Sequence, residues 1–297
     1  RVVIDEASQI LEPALVGLLP NFERYILIGD HKQLPAVVVQ NEETSAVENK
    51  ELKAIGLHNL RNSFFERLYK RCVKNKWDWA YAKLSHQGRM HADIMDFPNR
   101  YFYEGFLKTL PENIGHSVVQ KQSTNYSLPT DYESFGKLLS ERRTLFFHTA
   151  VDELSQTSKT NLHEAEMIGK LVESYHEIYQ KGGRNLTAKC IGIITPYRAQ
   201  IAQIQEVLQA KNFDCSFITI DTVERYQGGA RDIILVSLCT NSLRQIDKLV
   251  SLSEEGVDRK LNVALTRARE HVVVVGNADL LGQNAIYGNL IREFTKS

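Results

Sequence analysis

The sequence predicts an α/β protein in which parallel β-strands are flanked by helices. Four short apolar runs, at residues 145–147, 191–195, 217–221 and 233–238, alternate with amphipathic helical patterns. Such an alternation is typical of a parallel, doubly wound sheet. A second observation agrees, because residues 272–275 form an unbroken run of four valines. A β-branched run of that length suits a strand whose two faces are both covered, as in a parallel sheet.

The valine run closes a stretch, residues 261–276, that joins a helical pattern to a strand pattern. Four apolar residues follow the i, i+3, i+4, i+7 spacing of one buried helix face: Leu261, Ala264, Leu265 and Ala268. Arg267 and Arg269 fall at opposite edges of that face, so one could lean towards a cleft while the other leans away. Taken alone, the stretch favours a packed α/β unit with two solvated arginines.

Length and composition allow several functions and exclude few. A chain of 297 residues can hold two domains with cores of their own, and apolar and charged fractions of 43% and 24% are ordinary for a globular protein. The 36 basic and 36 acidic residues cancel. This balance neither supports nor excludes a nucleic-acid partner, because a local basic groove can exist on a neutral protein. No apolar run approaches the ~20 residues that span a bilayer, so we expect no membrane insertion.

The cysteines and histidines carry no metal or disulfide pattern. The four cysteines, Cys72, Cys190, Cys215 and Cys239, show no CxxC spacing, and we expect them to be reduced. Reduced cysteines favour the cytoplasm or, in a eukaryote, the nucleus. The nine histidines form no HxxxH pair, so no histidine-based metal cluster is predicted. The chain opens with RVVIDEAS, strand material without an initiator methionine, and we therefore expect a fragment of a longer protein.

Candidate catalytic residues follow the first two predicted strands. The apolar run at residues 2–4 ends in Asp5 and Glu6, and the run at residues 25–28 ends in a polar loop that contains Gln33. At the carboxyl end of a strand an Asp can hold Mg²⁺, an adjacent Glu can polarise an attacking water, and a Gln can orient that water or contact a phosphate. The alternative is that Asp5 and Glu6 merely begin the next helix, where acidic residues complement the helix dipole.

A helix is predicted from Ser63, with Glu66 at the capping-box position. Five basic residues surround its apolar face: Arg67, Lys70, Arg71, Lys74 and Lys76. They could contact a phosphate backbone, although a solvated face is the favoured interpretation. A domain boundary is predicted within residues 78–83, which divides the chain into domains at residues 1–80 and 81–297.

Two more helix starts are predicted further along the chain. Asn161 caps a helix that has Glu164 at the capping-box position and that ends at Gly182 and its neighbour. Pro196 stands at the first position of the following helix. Residues 108–142 show no clean period and are interpreted as an irregular insert, while the aromatic-rich segment 94–106 is interpreted as core.

Seven sequence blocks occur in a fixed order along the chain: VVIDEAS, GDHKQLP, QGRMH, NLHEAE, IGIITPYRAQ, DTVERYQGGARD and LNVALTRAR. This series resembles the superfamily 1 nucleic-acid helicases, and most closely the branch that holds the helicase of nonsense-mediated mRNA decay and senataxin. The resemblance spans nearly the whole chain. It implies RecA-like parallel sheets of the P-loop NTPase type, with a truncated first domain, a complete second domain and ATP–Mg²⁺ in the cleft between them.

The resemblance also implies a role for individual residues. Asp5 would hold Mg²⁺, Glu6 would activate the hydrolytic water, and Gln33 would sense the γ-phosphate. Arg89 and Arg267 would reach the same phosphate from the second domain as arginine fingers. A further set would contact the nucleotide: Gln227, Gly228 and Arg231. The last set would lie near single-stranded DNA or RNA: Thr195, Pro196, Tyr197 and Thr222.

Three positions depart from the pattern of the family. Gly88 replaces an aromatic residue before the arginine of QGRMH, and Ala92 replaces a proline after its histidine. Ala230 replaces a glutamate that in the family is linked to the sugar of the nucleotide, so in this chain Arg231 or Asp232 would have to supply the sugar contact.

The resemblance implies the C-terminal part of an ATP-dependent helicase. The alternative is a degenerate RecA-like module that binds nucleic acid or a protein without turnover. The chain contains no GxxxxGK motif followed by Ser or Thr, the loop that cradles the phosphates of ATP. We therefore expect the upstream half of the same protein to complete the ATP site, and this chain alone to bind ATP poorly.

Overall fold

The computed structural model describes residues 1–38, 40–41, 43–111, 134–155, 159–183, 185–226, 229–253 and 255–296. The chain forms two compact units, Arg1–Leu84 and Ser85–Ser297. The predicted boundary between residues 80 and 81 lies four residues before this division.

Among its described residues the first unit contains a two-stranded parallel sheet and three α-helices: β1 (Val2–Ile4), α1 (Glu12–Leu18), β2 (Tyr25–Leu27), α2 (Lys50–Ala54) and α3 (Phe64–Lys74). Helix α3 begins as predicted, because the Ser63 hydroxyl accepts a hydrogen bond from the backbone N–H of Glu66 at 3.1 Å. A buried ion pair joins α1 to α3, with Arg67 Nη2 2.5 Å from Glu12 Oε1. The pair fixes the two helices against each other.

Both strands of the first unit are largely exposed. Val3 in β1 and Ile26 in β2 each retain 61% of their accessible surface. Parallel sheets are normally covered on both faces. The sheet of this unit therefore leaves apolar surface uncovered within the chain.

The second unit contains seven strands and nine α-helices among its described residues. The strands are β3 (His86–Gln87), β4 (Lys108–Thr109), β5 (Thr144–His148), β6 (Ile191–Ile194), β7 (Ile218–Asp221), β8 (Arg231–Ser237) and β9 (Ala268–Gly276). The helices are α4 (Ala92–Phe102), α5 (Ser134–Glu141), α6 (Leu162–Lys181), α7 (Arg198–Ala210), α8 (Val223–Tyr226), α9 (Leu243–Leu249), α10 (Arg259–Thr266), α11 (Ala278–Leu281) and α12 (Ala285–Thr295).

Five of these strands form one parallel sheet in the order β5–β9–β8–β6–β7, while β3 and β4 form a separate parallel pair. The predicted α/β class with a parallel sheet flanked by helices is confirmed. Val273 and Val275 pack into a core with residues of α6 and α7, including Ile168 and Ile204. Side chains alternate along a strand, so the intervening valines of β9 face the other side of the sheet, where they too are fully buried.

Three predicted features of the second unit are wrong in detail. Helix α10 ends at Thr266, so Arg267 is its C-cap and Ala268 and Arg269 already belong to β9. The helical ladder stops there because strand pairing takes over: Ala268 pairs with Arg231 of β8. Helix α7 begins at Arg198 with Tyr197 as its N-cap, so Pro196 precedes the helix. Part of the predicted irregular insert is regular, since it contains β4 and α5; residues 112–133 of that insert lie outside the described residues.

In the part of the chain that the structure describes, no helix combines the length and the apolar character needed to cross a bilayer.

Candidate functional site

The two strand ends of the first unit lie side by side. Strands β1 and β2 run parallel with Ile4 opposite Leu27, so both polar loops leave the same edge of the sheet. The N–H of Ala7 donates to the carbonyl of Ile28 at 2.8 Å, and the N–H of Asp30 donates to the hydroxyl of Ser8 at 3.3 Å. The DEAS and GDHKQLP motifs are therefore in direct contact.

The two predicted carboxylates at this edge are exposed. Asp5 Oδ1 accepts the N–H of Glu6 at 2.9 Å, and Glu6 Oε2 accepts the side-chain amide of Gln9 at 2.5 Å. Glu6 adopts a left-handed backbone conformation with φ 51°, which is uncommon for a residue other than glycine. The chain thus turns sharply after β1 and leaves both carboxylates accessible to a ligand.

Asp30 organises the loop that carries Gln33. Its two carboxylate oxygens accept the N–H of Lys32 at 3.0 Å and the side-chain amide of Gln33 at 2.8 Å. Gly29 is required at the start of this loop, because a Cβ there would lie only 2.9 Å from the backbone nitrogen of Ser8. Gln33 was predicted from the sequence, whereas Asp30 and Ser8 were not, because the contact between these two residues arises only when the strands pair.

Arg89 and Arg267 come together in the second unit. Arg89 Nη1 donates to the carbonyl of Thr266 at 3.1 Å, and the N–H of His91 donates to the carbonyl of Arg269 at 2.9 Å. The loop before α4 is thereby held against the α10–β9 junction, on both sides of Arg267. Arg267 itself is only 2% exposed.

The predicted nucleotide-contacting set is only partly described. Gln227 and Gly228 lie outside the described residues. Arg231 Nη2 donates to the hydroxyl of Thr219 at 2.8 Å, and its guanidinium lies 5.7 Å from the centre of the Tyr226 ring. Burial raises the pKa of Tyr226 to about 12. Arg231 is thus already engaged inside the second unit.

Asp232, the other residue that could replace the family's glutamate, is engaged as well. Its Oδ1 lies 3.2 Å from Nη1 of Arg269 in an ion pair.

The predicted nucleic-acid residues follow the neighbouring strands β6 and β7. The N–H of Thr195 donates to the carbonyl of Asp221 at 3.2 Å, and the N–H of Thr222 donates to the Asp221 carboxylate at 2.8 Å. Thr195 is 1% exposed, and its hydroxyl has no hydrogen-bond partner among the described residues. Pro196 and Tyr197 are half-buried, and the Tyr197 side chain hydrogen-bonds Gln245. The structure therefore brings these four residues to one edge of the sheet.

The buried carboxylate of Glu164, which was predicted to form a capping box, organises the same edge of the sheet. The Asn161 side chain caps α6 as predicted, by accepting the N–H of Glu164 at 2.9 Å. The Glu164 carboxylate forms no capping box with it. It is fully buried and accepts four hydrogen bonds, from the hydroxyl of Ser237, the N–H of Cys239, and the N–H and hydroxyl of Thr240, at 2.7–2.9 Å.

Glu164 thereby fixes the chain that leaves β8. Burial raises the pKa of its carboxyl, and the four hydrogen bonds act in the opposite direction. The same segment is linked to the nucleic-acid set, because Gln245 donates to the carbonyl of Cys239 at 3.1 Å and also bonds Tyr197. A glutamate three residues after an N-cap favours a capping box on local pattern alone, so only the tertiary structure shows this role.

Comparisons with known proteins show which family this chain belongs to and which proteins it is similar to. A family model described as an AAA domain matches residues 60–279, and a second model with the same description matches residues 1–41. The DNA replication ATP-dependent helicase/nuclease DNA2 of Mus musculus is 29% identical over 97% of this chain and 26% of its own length. The Regulator of nonsense transcripts 1 homolog of Arabidopsis thaliana is 29% identical over 99% of this chain and 21% of its own length.

A third relative, Helicase sen1 of Schizosaccharomyces pombe, is 30% identical over 98% of this chain and 15% of its own length. The chain therefore spans about a quarter or less of the length of these curated relatives.

Proposed function

We propose that this chain, which belongs to the AAA-domain family, is the C-terminal part of an ATP-dependent DNA or RNA helicase. Within that family it belongs to the branch of superfamily 1 helicases that holds the nonsense-mediated-decay helicase and senataxin. The contact between the DEAS and GDHKQLP loops supports the proposal most strongly. It gathers two carboxylates and a glutamine at one strand edge, the place where α/β sheets bind ligands.

The residues at this edge fit ATP with Mg²⁺. Magnesium is commonly held by one or two carboxylates together with substrate phosphates and water, and Asp5 presents an exposed carboxylate at the end of β1. Asp5 would hold the ion, which neutralises phosphate charge when bound. Glu6 would accept a proton from the attacking water, and Gln33 would contact the γ-phosphate from the loop that Asp30 organises.

The second unit would supply the remaining groups. Arg89 and Arg267 would stabilise the charge that develops on the γ-phosphate. The bond from Arg89 Nη1 to the carbonyl of Thr266 ties the Arg89 side chain to the residue that precedes Arg267. Other residues would contact the nucleotide: Gln227, Gly228 and Arg231. The sheet edge of β6 and β7 would contact a single strand of DNA or RNA through these residues: Thr195, Pro196, Tyr197 and Thr222.

An upstream segment of the same protein would complete the ATP site. No phosphate-cradling GxxxxGK loop occurs in these 297 residues. The 61% exposure of Val3 and Ile26 supports the same proposal, because an adjoining segment would cover these strand faces. The free state of all four cysteines fits a protein of the cytoplasm or nucleus.

ATP turnover tests this proposal in two proteins. The 297-residue chain alone is expected to hydrolyse ATP at a negligible rate, while the longer protein shows nucleic-acid-stimulated turnover. In the longer protein, Arg267→Ala is expected to lower that turnover by about 10³–10⁵-fold, as for other arginine fingers, and to leave nucleic-acid binding intact. Arg292→Ala on helix α12 is the control arginine and should leave the rate unchanged.

Three results would contradict the proposal. Rapid turnover by the 297-residue chain would show that the site does not need an upstream phosphate loop. Unchanged turnover in Arg267→Ala would remove the arginine finger. If the longer protein bound nucleic acid but hydrolysed no ATP at all, the chain would instead belong to a binding module without turnover.

A further inference from the structure

The segment that follows helix α3 exposes both tryptophans of the chain. Trp79 retains 85% of its accessible surface and Trp77 retains 37%, and Val73 beside them retains 45%. A single exposed apolar residue is ordinary, but here three exposed apolar residues lie within seven positions of the chain. We name residues 73–83, which begin with the last two residues of α3, the tryptophan segment.

The surroundings of the tryptophan segment are strongly basic. Between residues 70 and 84 there are five basic residues and one acidic residue, Asp78. Lys70 is paired with Glu66 at 2.8 Å, whereas neither Lys74 nor Lys76 forms an ion pair with any described residue. Asp78 accepts a hydrogen bond from the Tyr81 hydroxyl at 3.2 Å. Exposed aromatic surface is therefore bordered by lysines whose charge the fold leaves available.

Aromatic contacts hold the segment against α3. The ring centres of Tyr81 and Tyr69 lie 5.4 Å apart in an edge-to-face arrangement, and Nζ of Lys83 lies 5.7 Å from the centre of the Tyr69 ring. At the other end, the N–H of Trp77 donates to the carbonyl of Cys72 at 2.9 Å. Because both ends are fixed, Trp79 is presented to solvent on an ordered turn, which lowers the entropy that a ligand must remove on binding.

We propose that the tryptophan segment is a binding site for single-stranded nucleic acid, with a base stacked on Trp79 and phosphates beside Lys74 and Lys76. The proposal rests on the proposed function and adds a site to it. Stacking on an aromatic face combined with a basic border is the arrangement that binds single strands without base specificity. A protein partner fits less well, because lysine is depleted in protein–protein interfaces.

The two tryptophans make the site directly observable. No other tryptophan occurs in the chain, so intrinsic tryptophan fluorescence reports on this segment alone. The 297-residue chain would be titrated with fluorescein-labelled oligothymidylate or oligouridylate for anisotropy, and with the unlabelled oligomers for tryptophan emission. We expect quenching that saturates with the same Kd as the anisotropy change, and expect it to persist in Trp77→Phe, where Trp79 is the sole emitter.

Substitutions measure each part of the site. Trp79→Ala is expected to weaken binding by about 5- to 150-fold, the range for loss of one base stack. Trp79→Phe should retain much of the affinity, because it keeps a ring. Lys74→Gln and Lys76→Gln should each reduce the slope of log K against log salt by about 1. Leu154→Ala, in the second unit, is the control because Leu154 is 91% exposed but lies outside the segment.

The outcomes separate this site from the proposed function. Binding seen by anisotropy without a change in tryptophan emission, together with unchanged affinity in Trp79→Ala, would overturn the site and leave a helicase with its nucleic-acid contacts elsewhere. That outcome would also be the one expected if the segment binds a protein. Absence of binding to either oligomer would overturn the site and count against the nucleic-acid part of the proposed function.

Discussion

Two parallel sheets of this chain, the β1–β2 pair and the five-stranded sheet, are built from similar residues but are covered very differently. Ile26 in the middle of β2 is 61% exposed, whereas Ile234 in the middle of β8 is fully buried. Both residues belong to short apolar runs, and both strands pair in parallel. An apolar run therefore predicts a strand, but it does not predict whether the rest of the chain covers the faces of that strand. The helices of the second unit cover its five-stranded sheet, whereas the first unit has fewer helices and leaves its two-stranded sheet largely exposed.

Coverage in the second unit includes a polar network as well as apolar packing. The buried Glu164 carboxylate links the start of α6 to the end of β8 through its four hydrogen bonds. Nothing comparable crosses the exposed edge of the first unit, as far as the described residues show; there the Asp5 and Glu6 carboxylates face solvent. Glu164 thus serves the stability of the second unit, whereas Asp5 and Glu6 stay accessible in the first.

Of the substitutions that test this contrast, replacement of Glu164 is expected to change the free energy of unfolding most. Glu164→Ala removes the acceptor of two buried backbone N–H groups, those of Cys239 and Thr240. Each buried donor left unsatisfied costs about 1–3 kcal/mol, so the free energy of unfolding should fall by roughly 2–6 kcal/mol. Urea denaturation followed by far-UV circular dichroism measures the change.

The matched control for that substitution lies on the same helix. Glu166→Ala replaces an exposed glutamate of α6 and should change the free energy of unfolding by less than about 0.5 kcal/mol. Equal small effects at the two positions would show that the Glu164 hydrogen bonds are replaced by water and contribute little to the stability of the second unit.

A buried histidine gives the second unit a pH dependence. His271 in β9 is fully buried, with its ring 5.6 Å from that of Tyr175. Burial lowers the pKa of His271 to about 3, and the positive charge of Arg143 and the neighbouring His91 act in the same direction, while a backbone hydrogen bond with Arg142 acts against them. In the unfolded chain the group binds a proton near its ordinary pKa of about 6.5.

Acidification therefore destabilises the folded state. Between pH 6.5 and about 3 the unfolded chain binds the proton and the folded chain does not, so the contribution of His271 to stability is complete above that window and is lost as the pH falls through it. At pH 4.5 the loss should be roughly 2–3 kcal/mol relative to neutral pH. Urea midpoints at the two pH values measure it.

Two variants isolate this histidine from the other titrating groups. His271→Leu should remove that part of the pH dependence, whereas His163→Gln, at an exposed position of α6, should retain it. An identical pH dependence in wild type and His271→Leu would mean that other groups account for the whole effect.

The features predicted from sequence are those that local pattern determines. Apolar runs located the strands, and Asn161 and Ser63 cap their helices as predicted. The order of the motifs placed Asp5 and Gln33 at neighbouring strand ends, where the structure has them. Whether these residues bind and hydrolyse ATP stays a prediction.

The features that sequence missed depend on contacts between distant residues. Arg267 was assigned to a helix because its neighbours have helical spacing, but pairing of Ala268 with Arg231 starts a strand there instead. Glu164 was assigned to a cap because its distant partners on β8 leave no trace in the local pattern. Asp30 and Ser8 were missed for the same reason, since they meet only after β1 and β2 pair.

The smallest expected effect tests whether the exposed sheet is covered in the longer protein. In this chain Ile26→Ala should change the free energy of unfolding by less than about 0.5 kcal/mol, because the side chain already lies mostly in solvent. Ile234→Ala is the matched buried substitution and should cost about 2–5 kcal/mol. In the longer protein, the cost of Ile26→Ala should rise towards that of Ile234→Ala if an upstream segment packs on β2. Hydrogen exchange of the β2 amides, with and without Ile26→Ala in each protein, would measure this difference in cost. Equally small costs in both proteins would contradict the proposed covering segment.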